Sequence, residues 1–187
     1  MNEVKLDDIA DIISGLSYRR YIEEEAPQYE VIVQRSIKKD GQLNDFEKMN
    51  LRPPKDQYFT RPGDVLMKMP YPYDVVCVSQ ANLVISDRIA IIRLYDGFDP
   101  SFIAHLLTNT HIKKQLYELG STERIPHTSL KEIKALKLRV PDYETQKKYG
   151  ELLNTINEKI AEDLKMVEYD QNLKEGILNR LWGESGV

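Results

Sequence analysis

The feature that most constrains the fold of this chain is one uninterrupted helical pattern that follows Pro141 and runs almost to the last residue. The pattern contains no proline, and it begins with acidic residues, which the helix dipole stabilises in a first turn. Roughly 40 residues, at a rise of about 1.5 Å each, predict a helix of about 60 Å. The apolar residues form a narrow stripe between charged residues, which is typical of a coiled-coil strand. The predicted dimerisation stripe comprises Tyr149, Leu153, Ile156, Ile160, Leu164, Val167, Leu173, Ile177 and Leu181.

We therefore divide the chain into a domain at residues 1–141 and a long helical spacer at residues 142–187. A helix of this length exceeds what a domain of about 140 residues covers, since such a domain is only a few tens of ångströms across. Two alternatives stay open for the helix: it pairs with a partner helix, or it folds back on its own domain.

Short runs rich in β-branched residues predict a β-rich body with irregular loops in the first 100 residues. Gly, Pro and Asp bound these runs, as is typical of strands joined by turns. The predicted strands lie at 30–37, 63–69, 74–79 and 88–94. Residues 6–13 predict one helical turn followed by a strand that ends at Gly15.

Helical patterns follow the β-rich part. The apolar spacing over 99–120 predicts one helix. Ser129 and Glu132 form a capping box, which predicts a short helix over 129–136. Residues 136–141 predict a strand that ends at a proline. The fold class expected from these elements is α+β, with a mixed, β-rich domain followed by a long C-terminal coiled-coil helix.

Charge is unevenly distributed along the chain. The net charge is −4, and residues 142–187 carry all of it with ten acids against six bases. The rest of the chain is neutral, but residues 34–55 hold six bases against three acids. A locally positive loop on a neutral body is compatible with binding to double-stranded DNA.

Three observations predict a cytoplasmic protein without a membrane segment. No apolar run approaches the roughly 20 residues needed to span a bilayer. The acidic segment 1–13 lacks the basic and apolar regions of a signal peptide. Cys77 is the only cysteine, which excludes an internal disulfide and fits a reducing compartment.

Basic and aromatic side chains in the turns of the body are the candidates for DNA contact. Arginines reach phosphates and guanine edges, and tyrosines stack or donate to phosphates. The alternative for the first group, which is followed by acids at 23–25, is a solvated turn. The candidates are Tyr18, Arg19, Arg20, Arg35, Lys38, Lys39, Arg52 and Lys55.

The segment "GSTERIPHTSL" at 120–130 combines hydroxyls, charges, a proline and a histidine between two helical patterns. We interpret it as a loop that joins the body to the spacer. Two readings stay open: the loop is purely structural, or Arg124 and His127 also reach the phosphate backbone.

The sequence lacks the motifs that would indicate catalysis. The sequence has no glycine-rich phosphate loop and no GxGxxG pattern. The three histidines, His105, His111 and His127, have no partners at metal-ligand spacing. We expect no catalytic residues, no metal and no cofactor, and therefore no enzyme.

Four stretches, taken in order, resemble one half of a specificity subunit of type I restriction–modification systems. "VKLDDIADIISG" (4–15) resembles the opening of that family, and "YFTRPGDVLMKM" (58–69) resembles its aromatic and Gly-Asp stretch. "GSTERIPHTSLKEIKALKLRVP" (120–141) resembles its loop, short helix and strand. "ETQKKYGELLNTINEKI" (144–160) resembles the glutamine-containing entry to its long helix.

The resemblance implies a target recognition domain that reads DNA bases and a helical spacer, without catalytic residues. Methylation and cleavage would belong to methyltransferase and restriction subunits docked on the helices. A typical member has two recognition domains and two spacers in about twice this length. The chain would then pair with a second copy to read a bipartite target, or it is a truncated or split subunit. The alternative function is a non-catalytic coiled-coil interaction protein of the same fold that regulates a restriction or phage-defence complex.

Overall fold

The computed structural model of the chain describes residues 2–119 and 127–184. The chain divides into two compact units, Met1–Leu153 and Asn154–Val187. The described elements are, in chain order, β1 (Asn2–Lys5), α1 (Leu6–Ile9), β2 (Ala10–Ser14), β3 (Gln28–Ile32), β4 (Glu47–Asn50), β5 (Val65–Lys68), β6 (Val75–Cys77), β7 (Val84–Ile85), β8 (Ile89–Leu94), α2 (Pro100–Leu107), α3 (Thr110–Leu119), α4 (Leu130–Lys134), β9 (Lys137–Val140) and α5 (Tyr143–Glu184).

An antiparallel sheet with the order β2-β8-β5-β6 forms the centre of the first unit. Its middle strand β8 is apolar throughout Ile89–Ile92, and all four residues are buried. Side chains alternate between the two faces of a strand. Ala90 and Ile92 accordingly join the cluster that contains α2 and α3 residues, whereas Ile89 and Ile91 join a second cluster on the other face. This sheet is therefore covered on both sides.

Two smaller sheets complete the first unit. One has the order β4-β3-β7, in which β3 pairs antiparallel with β4 and parallel with β7. The other joins β1 to β9 in an antiparallel pair that places Asn2 opposite Val140. The fold class predicted from the sequence is confirmed: mixed sheets are followed by one long helix.

A close backbone approach joins the central sheet to the β4-β3-β7 sheet. The Leu16 N–H donates to the Ile85 carbonyl at 2.7 Å, and the Ser86 N–H donates to the Ile32 carbonyl at 3.0 Å. A Cβ atom at position 15 would lie 2.2 Å from the Ser86 carbonyl oxygen. Only glycine permits this approach, because no real Cβ contact is that short. Gly15 is thus required where the two sheets meet.

The single helix predicted over 99–120 is wrong, because two helices occupy this segment. Helix α2 ends at Leu107 and α3 begins at Thr110. The Asn109 side chain accepts from the His111 N–H at 2.8 Å, and the Thr108 hydroxyl donates to the His105 carbonyl at 2.7 Å. Such side-chain bonds to the backbone compete with helical hydrogen bonds. His105 and His111 therefore lie in different helices.

The other predicted elements are present, most with shorter bounds. The turn and strand before Gly15 are α1 and β2, and the predicted capping box is formed at α4. There the Ser129 hydroxyl accepts from the Glu132 N–H at 3.3 Å, and the Glu132 carboxylate accepts from the Ser129 N–H at 2.7 Å. The strand predicted over 30–37 stops at Ile32 as β3. The sequence patterns missed β1, β4 and β7, and β4 lies inside the segment interpreted as a loop.

Buried polar contacts anchor the beginning of α5 within the first unit. Gln146 is 2% exposed, its side-chain oxygen accepts from the Asp99 N–H at 3.0 Å, and its amide donates to the Pro141 carbonyl at 2.9 Å. The Asp99 carboxylate in turn caps α2 by accepting from the Phe102 N–H at 2.7 Å. A Cβ atom on Gly150 would lie 2.7 Å from that carboxylate. One glutamine and one glycine thus hold α5 against the first turn of α2.

Asp142 caps the long helix. Its carboxylate accepts from the Thr145 N–H at 3.0 Å and from the Thr145 hydroxyl at 2.8 Å. These hydrogen bonds to the charged form lower the pKa of Asp142. The beginning predicted for the helix is confirmed to within one residue.

The second unit consists of the continuation of α5, and its apolar stripe is exposed in the single chain. Ile156 is 45% exposed and Leu181 is 58% exposed, and the stripe residues between them fall in this range. None of the helices within the described ranges is long and apolar enough to cross a membrane.

Replacing Gln146 with Leu tests the anchor of α5. The variant keeps the side-chain volume but leaves the Asp99 N–H and the Pro141 carbonyl without their partner. We expect the free energy of unfolding to fall by about 1 to 3 kcal/mol in urea titrations followed by circular dichroism. Gln171→Leu, on an exposed position of the same helix, is the control and should have little effect. Equal losses in the two variants would contradict the anchor.

Candidate nucleic-acid interface

A cleft of about 620 Å³ on the first unit collects several of the predicted DNA contacts. Three backbone segments line it, at 17–20, 33–35 and 86–88, together with Glu47. The cleft contains four arginines and two carboxylates, and thus has a net positive charge. Its predicted members are Tyr18, Arg19, Arg20 and Arg35, and its further charged members are Glu47, Asp87 and Arg88.

The first wall of the cleft is a tight turn that follows β2. The residues Tyr18–Arg20 form one turn of 3-10 helix, and the Tyr21 N–H closes it by donating to the Tyr18 carbonyl at 2.8 Å. The Ser17 hydroxyl donates to the Asp87 carboxylate at 3.0 Å and so links this wall to the third one. Arg19 and Arg20 are exposed. Their guanidinium groups are therefore available to a ligand in the cleft.

The second wall follows β3 and presents Arg35. A short 3-10 turn at Gln34–Ser36 turns the chain, and the buried Ser36 hydroxyl holds it. This hydroxyl accepts from the Val33 N–H at 3.2 Å and donates to the Asp45 carbonyl at 3.0 Å. The Arg35 guanidinium lies 3.1 Å from a Glu47 carboxylate oxygen. Arg35 is thus oriented by its neighbours.

The third wall contains Arg88, which the sequence patterns did not single out. It lies in the short connection between β7 and β8, and it is exposed beside Asp87. The available signal was a pair of charged residues between two apolar strand patterns. The sequence around this pair does not indicate its contact with residues 17–20, because the two segments are about 70 residues apart.

The lysines and Arg52 among the predicted DNA contacts lie outside the described lining of the cleft. Lys38 forms an ion pair with Asp45 and lowers the pKa of that carboxyl. Lys39 and Lys55 are exposed. Arg52 has a structural role that the sequence did not reveal.

Arg52 supports the turn that carries the first wall. Its guanidinium donates to the Arg20 carbonyl at 2.6 Å and lies 5.6 Å from the centre of the Tyr21 ring. A Glu23 carboxylate oxygen is 3.7 Å from the Arg52 side chain. Glu23, the first of the acids that follow the turn, therefore contacts this supporting arginine.

The remaining two predicted contacts come from the 120–130 segment. Arg124 lies outside the described residues. His127 is partly buried and forms an antiparallel bridge with Pro70, and the next N–H, that of Thr128, donates to the Met69 carbonyl at 2.9 Å. His127 thus has a place in the backbone pairing of the body and is not part of the cleft lining.

The Gly-Asp pattern at 63–64 has a structural explanation. Asp64 and Arg93 form a two-pronged ion pair at 3.0 and 3.2 Å, and their side chains are 4% and 15% exposed. Arg93 also donates to the Phe59 carbonyl at 2.9 Å, while Asp64 accepts from the Arg61 N–H at 2.9 Å. Removing one member of such a buried pair is strongly unfavourable. Arg93 therefore stabilises the body.

The described residues contain no group of three or more His, Cys, Asp and Glu side chains placed to hold a metal ion. Burial raises the pKa of the Cys77 thiol to about 11, with smaller contributions from Asp99 and Asp64. The thiol is therefore protonated at neutral pH, and a protonated thiol is a poor nucleophile.

A β-rich body with an arginine-lined cleft, and a long helix with an exposed apolar stripe, are the features of a macromolecule-binding module. The profile of the family described as the type I restriction modification DNA specificity domain matches residues 1–169. The chain belongs to this family, whose specificity subunits are non-catalytic. None of the curated protein sequences matches the chain.

Solved structures share the fold. The HsdS subunit from Thermoanaerobacter tengcongensis is similar with a TM-score of 0.70 at 16% identity, over 88% of this chain and 44% of that one. A structure from work on complex assembly and conformational transition of the type I R-M system gives 0.65 at 22% identity, over 96% and 43%. The S subunit from M. genitalium gives 0.59 at 16% identity, over 93% and 43%. The chain thus spans less than half the length of each of these proteins.

Replacing Gly15 with Ala tests the joint that positions the cleft walls. The added Cβ would collide with the backbone of Ile85 and Ser86, and we expect a loss of about 1 to 3 kcal/mol in the free energy of unfolding. Thermal unfolding followed by circular dichroism measures the change. Gly176→Ala is the control, because nothing lies within 4 Å of its added Cβ, and alanine favours helix. An unchanged melting temperature for Gly15→Ala would contradict the close approach.

Proposed function

We propose that the chain is the DNA-reading specificity subunit of a type I restriction–modification complex, and that two copies pair to read a bipartite target. The DNA-reading role is supported by two observations together: the chain belongs to this family, and its cleft is lined by four arginines. Phosphate contacts supply affinity and register, and arginines in the major groove read guanine. Tyr18, Arg19, Arg20, Arg35 and Arg88 would make these contacts. The further candidates from the sequence are Lys38, Lys39, Arg52, Lys55, Arg124 and His127.

The apolar stripe and the length of the chain support the pairing. An exposed apolar stripe along a helix favours association, and seven stripe residues in the second unit are 45% to 58% exposed. The chain has one recognition body in less than half the length of the similar solved structures. A second copy is the simplest partner, since a twofold dimer uses the same patch on both chains. The dimer would read an interrupted palindrome.

The proposal assigns a separate role to each part of the chain and to its partner subunits. Residues 1–141 would serve as the target recognition domain and residues 142–187 as the spacer and dimerisation helix. Methyltransferase and restriction subunits would be the further partners and would supply the chemistry. The complex would act on DNA in the cytoplasm.

Arg19→Ala and Arg20→Ala test the phosphate contacts. Each variant should weaken binding to all duplexes alike and reduce the slope of log affinity against log salt by about one. Fluorescence anisotropy with labelled duplexes, measured over a range of salt concentrations, gives both quantities. Lys165→Ala, on the exposed face of α5, is the control. A wild-type chain without salt-dependent duplex binding would contradict the proposal and favour a non-catalytic coiled-coil interaction protein of the same fold.

Ile156→Glu and Ile160→Glu test the pairing. Each places a charge in the stripe, where burial without a partner is strongly unfavourable. We expect a shift from dimer to monomer in light scattering at micromolar concentration, and a larger loss for two-site duplexes than for half-site duplexes.

The matched control for the pairing is Lys165→Glu, which adds a negative charge on the same helix outside the stripe. It should leave the dimer intact. A monomeric wild-type chain under these conditions would exclude the homodimer.

A further inference from the structure

Arg35 and Glu47 form an ion pair inside the basic cleft. Both residues line the cleft, and their charged atoms are 3.1 Å apart. The Arg35 side chain is 67% exposed and the Glu47 side chain is 30% exposed. Exposed pairs of this kind contribute little to stability. The stability of the fold therefore does not explain why position 47 carries a carboxylate.

A carboxylate in a DNA-binding cleft can make only a few favourable contacts with DNA. It repels phosphates, so it lowers affinity unless it accepts a hydrogen bond from the DNA. The donors in the major groove are the exocyclic amines of cytosine and adenine. Glu and Asp are the side chains that accept from the cytosine amine, and Arg is the side chain that bonds the O6 and N7 atoms of guanine. An adjacent Arg and Glu thus match the two halves of one G·C pair.

Rigid elements hold the pair in position. Glu47 lies on β4 opposite Val31 of β3, and Arg35 lies in the turn that the buried Ser36 hydroxyl fixes. Base reading needs this rigidity, because a loosely held side chain does not discriminate between bases. Asp87, the other carboxylate of the cleft, already accepts from Ser17 at 3.0 Å.

We propose that the Arg35–Glu47 pair is a specificity determinant that reads one G·C base pair in the major groove, with Arg35 on guanine and Glu47 on cytosine. This inference rests on the proposed function, because it assigns a readout to the same cleft. It further implies that the two side chains determine the preference at one and the same position of the target.

Selection of binders from a randomised duplex pool by the full chain, followed by sequencing, tests the inference. The wild-type chain should enrich a motif that contains the G·C pair. Glu47→Gln and Arg35→Lys keep the volume and the charge of their residues, respectively. Both should reduce the preference at that one position by about fivefold or more, with the other positions unchanged.

Lys48→Ala is the matched control. Lys48 is the exposed neighbour of Glu47 on β4, and it is not part of the cleft lining. Because strand residues alternate between faces, it projects to the other side. The Lys48→Ala variant should enrich the same motif as the wild-type chain.

A modified duplex gives a second measurement that does not depend on the folding of variants. The enriched duplex is made with a deazaguanine that lacks N7 at the assigned position. The wild-type chain should lose about fivefold or more in affinity, while Arg35→Ala should bind both duplexes equally. Equal wild-type affinity for the two duplexes would overturn the readout by Arg35.

The outcomes separate the two proposals. An enriched wild-type motif that both variants weaken at all positions alike would overturn base reading by the pair and leave the DNA-binding function standing. Relaxation at two different positions would overturn reading of a single base pair. Failure of the wild-type chain to enrich any motif, without salt-dependent binding, would overturn the proposed function as well.

Discussion

The cleft of this protein depends on one place where two backbones touch. Gly15 and Leu16 follow β2: the Gly15 N–H still donates to the Ile89 carbonyl of β8, and both residues reach the backbone of Ile85 and Ser86. Ser86 in turn bonds to Ile32 at the end of β3. The three segments that continue from these residues are the three walls of the cleft. The two sheets share one apolar cluster, which contains Ile32 and Ile85 as well as Ile89 and Ile91, and this backbone contact joins them again at the point where charged side chains begin.

Arginines in the first unit serve different purposes according to their burial. Arg93 is enclosed and holds Asp64, so that its charge is used inside the body. Arg52 is exposed but bonds to the backbone of the turn that carries Arg20. Arg35 is held by one carboxylate and is otherwise exposed to the cleft. Residue type alone does not distinguish a supporting arginine from one that is open to the cleft, because the difference lies in which backbone or carboxylate is within reach.

Local signals in the sequence predicted much of this fold. The capping box at Ser129, the strand before Gly15 and the long helix after Pro141 depend on residues within one or two turns, and each was predicted with its approximate place. The break between α2 and α3 was missed because the apolar spacing continues across it, while the Thr108 and Asn109 side chains bond to the backbone. Arg88 was missed as a member of the candidate cleft and Gln146 as an anchoring residue, because the other cleft walls and Asp99 are far from them in the sequence. Four residues of the candidate cleft were recognised from composition, but their convergence depends on contacts between distant segments.

The antiparallel pair of β1 and β9 brings residues 2 and 140 side by side. A body whose entry and exit strands are hydrogen-bonded neighbours can be inserted, removed or exchanged as one piece without displacing the chain on either side. The anchor at Gln146 and Gly150 follows directly after that exit and contacts Asp99 and Phe102, away from the cleft walls. Because Asp99 and Phe102 belong to that body, a body exchanged between the two strands would have to keep an aspartate cap and a first helical turn at these positions for the long helix to stay anchored. The walls of the cleft lie outside this requirement, so they can differ between such bodies while the junction with the helix stays the same.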